Sequence, residues 1–195
     1  MSGPLKTSRM KRLFDLILSL MLSVVLVLPI LVIASLIRLN SRGPAIYWSA
    51  RVGYDNRIFQ MPKFRSMRTD TPAVATHLLE QPEQYVTPIG RFLRKSSLDE
   101  LPQLWSILLG DMSFVGPRPA LFNQYDLIEL RTKQGVHKLV PGLTGWAQVN
   151  GRDELPIPQK VQFDAEYLQR RSFWFDLKIM TMTAWRVLRR VGVSH

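Results

Sequence analysis

Two neighbouring carboxylates, Asp99 and Glu100, stand in the string Arg94-Lys95-Ser96-Ser97-Leu98-Asp99-Glu100-Leu101-Pro102-Gln103-Leu104. Two readings fit this pattern. Ser97 followed three residues later by Glu100 is a capping box, with Ser97 as N-cap, Glu100 at the third helical position and Asp99 complementing the helix dipole. The same geometry suits a nucleophile. A carboxylate in the first turn of a helix lies among unsatisfied backbone N–H groups, which favour its ionised form and attract phosphate. An ionised aspartate can attack phosphorus to form an acyl phosphate. Arg94 and Lys95, just upstream, would neutralise an anionic substrate. Taken alone the string is an ordinary helix start, and one helix start can be both capped and reactive.

Three further strings carry candidate residues. In Gly110-Asp111-Met112-Ser113-Phe114-Val115-Gly116-Pro117-Arg118-Pro119, Arg118 lies between two prolines that stiffen the backbone around it. A guanidinium held in this way suits bidentate phosphate contacts; the bland alternative is a surface turn with an incidental Arg. Lys63-Phe64-Arg65-Ser66-Met67 places two cations on one face of a strand, which could equally be a solvated face. Pro141-Gly142-Leu143-Thr144-Gly145-Trp146-Ala147-Gln148-Val149-Asn150-Gly151-Arg152 carries three glycines, a Trp and an Arg. Such a segment can approach a ligand closely and stack on a base or line a membrane surface, or simply form a structural loop. It is neither a Walker A nor a dinucleotide fingerprint.

These residues must be positioned by a small set of elements. Residues 1–12 read as a flexible basic start. Residues 13–37 read as a membrane-embedded helix, because from Leu16 to Ile37 no charge occurs. Both flanks are basic, with Lys6, Arg9, Lys11 and Arg12 before and Arg38, Arg42, Arg51 and Arg57 after. Pro29 can bend a helix. A re-entrant segment that enters and leaves by one leaflet satisfies both observations; a spanning helix is the alternative. Residues 38–195 then form a membrane-associated catalytic domain. Within it the pattern predicts a β-hairpin over 45–67, a polar loop or short helix over 68–84, and helices over 98–109, 122–138 and 159–169. A last helix over 173–190, mixing aromatic and basic residues, suits either a membrane interface or the domain's own core. The expected class is α+β, mainly helical with a small β-hairpin or sheet, carrying a re-entrant membrane helix and interfacial amphipathic helices.

Composition narrows the partners. The 195-residue chain has 26 Lys and Arg against 15 Asp and Glu, a net charge of +11, so an anionic partner is expected. It has no cysteine and three scattered histidines, which argues against a zinc site. Nucleic acid fits the charge alone, and no nucleic-acid motif is present.

Taken together and in order, the basic-apolar start, Lys63 to Met67, Ser97 to Leu104, Gly110 to Pro119, Pro141 to Arg152 and Asp176-Leu177-Lys178 resemble the bacterial sugar transferase family, the monotopic phosphoglycosyl transferases. The likeness runs over about residues 11–190, and the short length looks like the minimal catalytic form. The resemblance implies a two-step transfer. Asp99 would attack the β-phosphate of a UDP-sugar, releasing UMP, and a polyprenol phosphate would then take the phosphosugar. It implies Mg²⁺ as cofactor, held by Asp99 and Glu100, with Glu100 alternatively managing the lipid phosphate. Lys63, Arg94 and Arg118 would bind phosphates, and Gln148, Asn150, Arg152 and Asp176 are candidates for substrate contact. It places the protein at the bacterial inner (cytoplasmic) membrane with its catalytic domain on the cytoplasmic face, and leaves homodimer formation open. One departure concerns the helix break: where the family often has Ser-Pro, this chain has Leu28-Pro29. The sugar is not named by any string.

Overall fold

A computed structural model of the chain describes residues 8–72, 82–151 and 155–189. The expected α+β class is what it adopts. The long apolar stretch forms α1, Arg9–Asn40, capped by the Ser8 hydroxyl on the Lys11 N–H. Arg9 to Arg12, read from sequence as part of a flexible start, are its first turn; residues 1–7 of that start lie outside the described residues. The helix continues through Pro29 without a break in its helical backbone. Proline removes one backbone hydrogen bond there. Leu26 on one side of Pro29, and Ile30, Ile33 and Ala34 on the other, pack onto the domain.

The predicted hairpin is present. Strand β1, Ile46–Val52, pairs antiparallel with β2, Ile58–Phe64, in a register that runs from Ile46 opposite Phe64 to Val52 opposite Ile58. Strand β3, Ser113–Val115, follows later in the chain, and β4, Ala120–Leu121, adds to the free edge of β1 to give the order β2-β1-β4. β5, Gly142–Thr144, pairs parallel with β3. Helix α2, Pro88–Ser96, was not expected from sequence. Its N-terminus is capped by Thr87, whose hydroxyl accepts from the Gly90 N–H at 3.0 Å. Helix α3, Leu104–Leu109, is shorter than predicted. The predicted helix over 122–138 divides into α4, Tyr125–Lys133, and a 3₁₀ turn, Val136–Lys138, because Gly135 takes a positive φ of 76° between them. Helices α5, Ile157–Arg170, and α6, Phe173–Arg189, fall where the periodicity placed them. Of the segment 68–84, residues 82–84 form a 3₁₀ turn and 73–81 lie outside the described residues.

Both ends of α1 are fastened to this one domain. Near its start, the Arg12 guanidinium donates to the carbonyls of Ile107 and Leu108 in the last turn of α3. Lys11 Nζ bonds Asp176 of α6 at 2.5 Å and the Val115 carbonyl at 2.9 Å. At its far end Ile37 is fully buried beside Phe64 and Leu93, and the buried Arg65 donates to the carbonyls of Ser41 and Arg42. The opposite face stays apolar and bare, with Val24, Val25 and Leu28 each about two-thirds exposed.

The glycines of the two Gly-rich strings face each other rather than a ligand. A Cβ on Gly142 would lie 2.1 Å from the Gly116 nitrogen, one on Gly145 2.1 Å from the Gly116 carbonyl oxygen, and one on Gly116 2.4 Å from the Val140 carbonyl oxygen. The chain therefore brings β3 and β5 together backbone to backbone, just before Pro117-Arg118-Pro119. A second clamp holds this loop from the other side. Arg131 of α4 donates to the Arg118 carbonyl at 2.8 Å and pairs with the buried Asp164 of α5 at 2.6 Å.

Two consequences are measurable. Asp164→Ala leaves the Arg131 guanidinium buried and unpaired, and should lower unfolding free energy by about 3–5 kcal/mol in a denaturant titration. Gly142→Ala forces a backbone shift at the β3–β5 contact. It should cost about 1–3 kcal/mol in the same titration and depress activity as well, because the shift reaches Arg118.

Candidate active site

The carboxylate pair is presented by a turn, not by the helix start that the capping box predicts. Helix α2 ends at Ser97, which takes the left-handed conformation, φ 57° and ψ 16°. Its N–H bonds the Arg94 carbonyl at 3.1 Å. Ser97 is thus a C-cap, whereas an N-cap residue needs an extended backbone and a side chain turned to the N–H groups that follow. Leu98–Gln103 then form a 3₁₀ turn containing Pro102, and α3 begins only at Leu104. The Glu100 side chain, freed from any capping duty, points to two cations.

Those cations come from distant segments. Lys63 Nζ, on β2, lies 3.3 Å from Glu100 Oε1, and Arg118 Nη2, from the loop after β3, donates to the same oxygen at 2.8 Å. Burial pushes the Glu100 carboxyl up, but attraction to Arg118 and Lys63 and their hydrogen bonds outweigh it and hold the group well below the usual carboxylate range. Burial pulls the Lys63 ammonium down from its usual range, against the attraction of Glu100. Asp99 is different. Among the described residues its carboxylate takes no hydrogen bond. Burial raises its pKa, with the Glu100 charge adding to this and Lys63 and Arg118 opposing it. The pair therefore divides into a doubly pinned Glu100 whose ionised form is favoured and an Asp99 whose charge is less well compensated.

Both carboxylates line a cavity of about 940 Å³. Of the residues singled out from sequence, Lys63, Arg94, Lys95, Arg118 and Gln148 line it with them. Asn150 donates to the Trp146 carbonyl at 2.7 Å and does not line the cavity. Asp176 is also elsewhere, spent on Lys11 and on the Tyr167 hydroxyl, which donates to it at 2.6 Å. Arg152 lies outside the described residues. Trp146 is held by neighbours within the domain. It packs edge-on to Phe163 and tilted against Phe175, and its indole N–H donates to Glu166 at 2.8 Å. Arg65, read as a partner of Lys63, instead closes the end of α1.

Sequence reasoning missed Arg51, Lys160 and Arg186, which also line the cavity. For Arg51 a signal existed. Once the hairpin register is known, Arg51 opposes Phe59 and Tyr47 opposes Lys63, and alternation puts Arg51 and Lys63 on the same sheet face. Arg51 is steered by bonds to the Ser49 hydroxyl and the Pro119 carbonyl. Lys160 and Arg186 reach the site only through the packing of α5 and α6, and nothing local marks them.

No three His, Asp or Glu side chains cluster among the described residues. Two adjacent carboxylates, one of them without a hydrogen bond, nonetheless fit a hard oxygen-seeking cation such as Mg²⁺, which keeps most of its waters and is commonly bound by one or two carboxylates plus substrate phosphates. An ionised carboxylate amid at least four guanidinium and ammonium groups is an arrangement able to receive a diphosphate and attack it.

Comparison with known proteins agrees with this geometry. The family model described as bacterial sugar transferase matches residues 6–190. The chain is 41% identical over 184 residues to the undecaprenyl-phosphate glucose phosphotransferase of Komagataeibacter xylinus, covering 89% of this chain and 35% of that protein. It is 36% identical over 200 residues to the undecaprenyl-phosphate galactose phosphotransferase of Salmonella typhimurium, covering 94% and 41%. It is 39% identical over 188 residues to the uncharacterized sugar transferase EpsL of Bacillus subtilis, covering 95% and 91%. The chain thus spans some two-fifths or less of the two relatives with a named activity and nearly all of the third. On the extent of the match and on the identity to these relatives, the chain belongs to the bacterial sugar transferase family.

Proposed function

We propose that this chain is a phosphoglycosyl transferase that moves a sugar 1-phosphate from a UDP-sugar to a polyprenyl phosphate. The observation that carries the reading is the division of labour in the carboxylate pair. Asp99 is free to attack, and Glu100 is fixed between Lys63 and Arg118. An Asp99 oxygen attacks the β-phosphorus, the bond from that phosphorus to the bridging oxygen breaks, and UMP leaves with the bridging oxygen. The phosphosugar remains as an acyl phosphate on Asp99. A phosphate oxygen of the polyprenyl phosphate then attacks the same phosphorus and Asp99 leaves as a carboxylate, giving polyprenyl-diphosphate-sugar. Splitting the transfer in this way uses one nucleophile twice and needs cations at the phosphates throughout.

Lys63, Arg94 and Arg118 are assigned to the phosphates, with Arg51 added to them. Glu100, ionised at any working pH, is assigned to orienting Lys63 and Arg118 rather than to acid catalysis. Asp99 and Glu100 would hold Mg²⁺, which supplies charge neutralisation to the diphosphate. Gln148 is kept as a substrate contact. Asp176 is reassigned to anchoring α1 against α6. The reading places α1 in the inner-membrane bilayer from the cytoplasmic side. That both of its ends are tied to one domain supports a helix that enters and leaves by one leaflet over one that crosses.

Two outcomes are expected. Incubated with a panel of UDP-sugars and polyprenyl phosphate, the purified protein should release UMP, and Asp99→Asn should lower the rate by about three orders of magnitude or more. A rate within a few-fold of the parent would remove Asp99 from the mechanism. The rate of UMP release should also depend on pH. Asp99 must be ionised to attack, so the rate falls as pH drops through its pKa. Since burial raises that pKa, the acid limb should lie above the ordinary aspartate value of about 4. Glu100, held low, should contribute no limb in that range.

A further inference from the structure

The cavity lining contains two chemically unlike sets of residues. Arg51, Lys63, Arg94 and Arg118 line the cavity with the carboxylate pair, and Lys160 of α5 and Arg186 of α6 add further cations. The lining continues to Leu22 and Leu26 of α1 and to Met180, Ala184 and Val187 of α6. Leu22 and Leu26 are one helical turn apart and share a face, and Met180, Ala184 and Val187 follow at i, i+4 and i+7 on one face of α6. The hydroxyl within this wall, that of Thr183, is satisfied by Thr144 at 2.7 Å and by the Ile179 carbonyl at 2.8 Å. It asks nothing of a ligand.

The two helices are joined where each begins. Lys11 pairs with Asp176, and the Phe14 and Phe173 rings meet edge-on at 5.4 Å. The cavity-lining residues lie further along each helix, roughly 16–22 Å beyond Lys11 on α1 at 1.5 Å per residue. Beyond the wall, the flank of α1 turned away from the domain is the bare apolar one. An apolar chain resting on Leu22 and Leu26 would pass from the cavity to this bare apolar flank.

A nucleotide-sugar is polar along its length and leaves this wall unused. The acceptor has its apolar part joined directly to the reacting phosphate. Resting on the transferase reading above, we propose that Leu22 and Leu26 of α1 with Met180, Ala184 and Val187 of α6 form the binding site for the first isoprene units of the acceptor. They lead its chain from the membrane to the cations of the cavity. The acceptor is thereby held twice within one cavity, its phosphate by the cations and its chain by two helices that also contact lipid.

The test fills the wall and reads the two half-reactions separately. Full-length protein in lipid nanodiscs is given UDP-sugar alone, and adduct formation is followed by intact mass and UMP release. The adduct is then chased with prenyl phosphates from five carbons to full polyprenyl length. Ala184→Trp should slow transfer to acceptors of ten carbons and longer by about tenfold or more relative to its effect on adduct formation and on the five-carbon acceptor. Equal losses in all three, or no loss with the long acceptors, would overturn the site. Independently of turnover, a polyprenyl phosphate with a diazirine in its first isoprene unit should label peptides containing Leu22 to Leu26 or Met180 to Val187. Labelling confined to other peptides also overturns it. Labelling at these helices in a protein that forms no adduct and releases no UMP would uphold the lipid site and defeat the transferase reading instead.

Discussion

Two adjacent carboxylates sit half-buried in one cavity, and a negative charge withdrawn from water is costly unless cations and hydrogen bonds are brought to it. Here the compensation goes to Glu100. Lys63 arrives from the hairpin, Arg118 from the loop after β3, and the 3₁₀ turn of residues 98–103 presents the carboxylate between them. Three segments far apart in the chain therefore meet at one oxygen. The consequence for Asp99 is indirect but decisive. With the cations engaged by its neighbour, it keeps a half-buried carboxylate without a hydrogen bond among the described residues, the state in which a carboxylate is least stabilised.

Holding Arg118 at that oxygen requires more than its two flanking prolines. The loop is gripped from one side by the contact of Gly116 with Gly142 and Gly145, which permits β3 and β5 to touch without side chains between them. From the other side Arg131 holds the Arg118 carbonyl while paired with Asp164. The Val115 carbonyl, at the end of β3, also receives Lys11 from α1. The apolar helix is thus wired to the strand that leads into the Arg118 loop, and the apolar helix and the charged cavity share one framework.

Much was legible in the sequence. An uncharged run from Leu16 to Ile37 can only be an apolar helix, because its pattern needs no partner to be read. The hairpin was legible from alternation around Gly53-Tyr54-Asp55-Asn56, and Asp55 and Asn56 do take positive φ there. Helices α5 and α6 followed from periodicity. Asp99, Glu100, Lys63, Arg94 and Arg118 were identified as candidates because their strings occur together and in order, and the chain does bring these five to one cavity.

What local pattern could not supply was the competition between segments. Ser97-x-x-Glu100 is a valid capping box on paper, yet the preceding helix α2 claims Ser97 as its left-handed C-cap, and Glu100 is drawn to Lys63 and Arg118. Asp176 and Trp146 looked like ligand-facing residues and became internal fastenings once α1, α5 and α6 were packed. Arg51, Lys160 and Arg186 joined the site only when sheet register and helix packing were set. The sequence by itself determined which residue types were available and where the long apolar helix, the hairpin and helices α5 and α6 would form, since propensity and periodicity act over a few residues. The tertiary structure alone decided which charges meet, because compensating a buried carboxylate is a matter of distance in space, not of spacing along the chain.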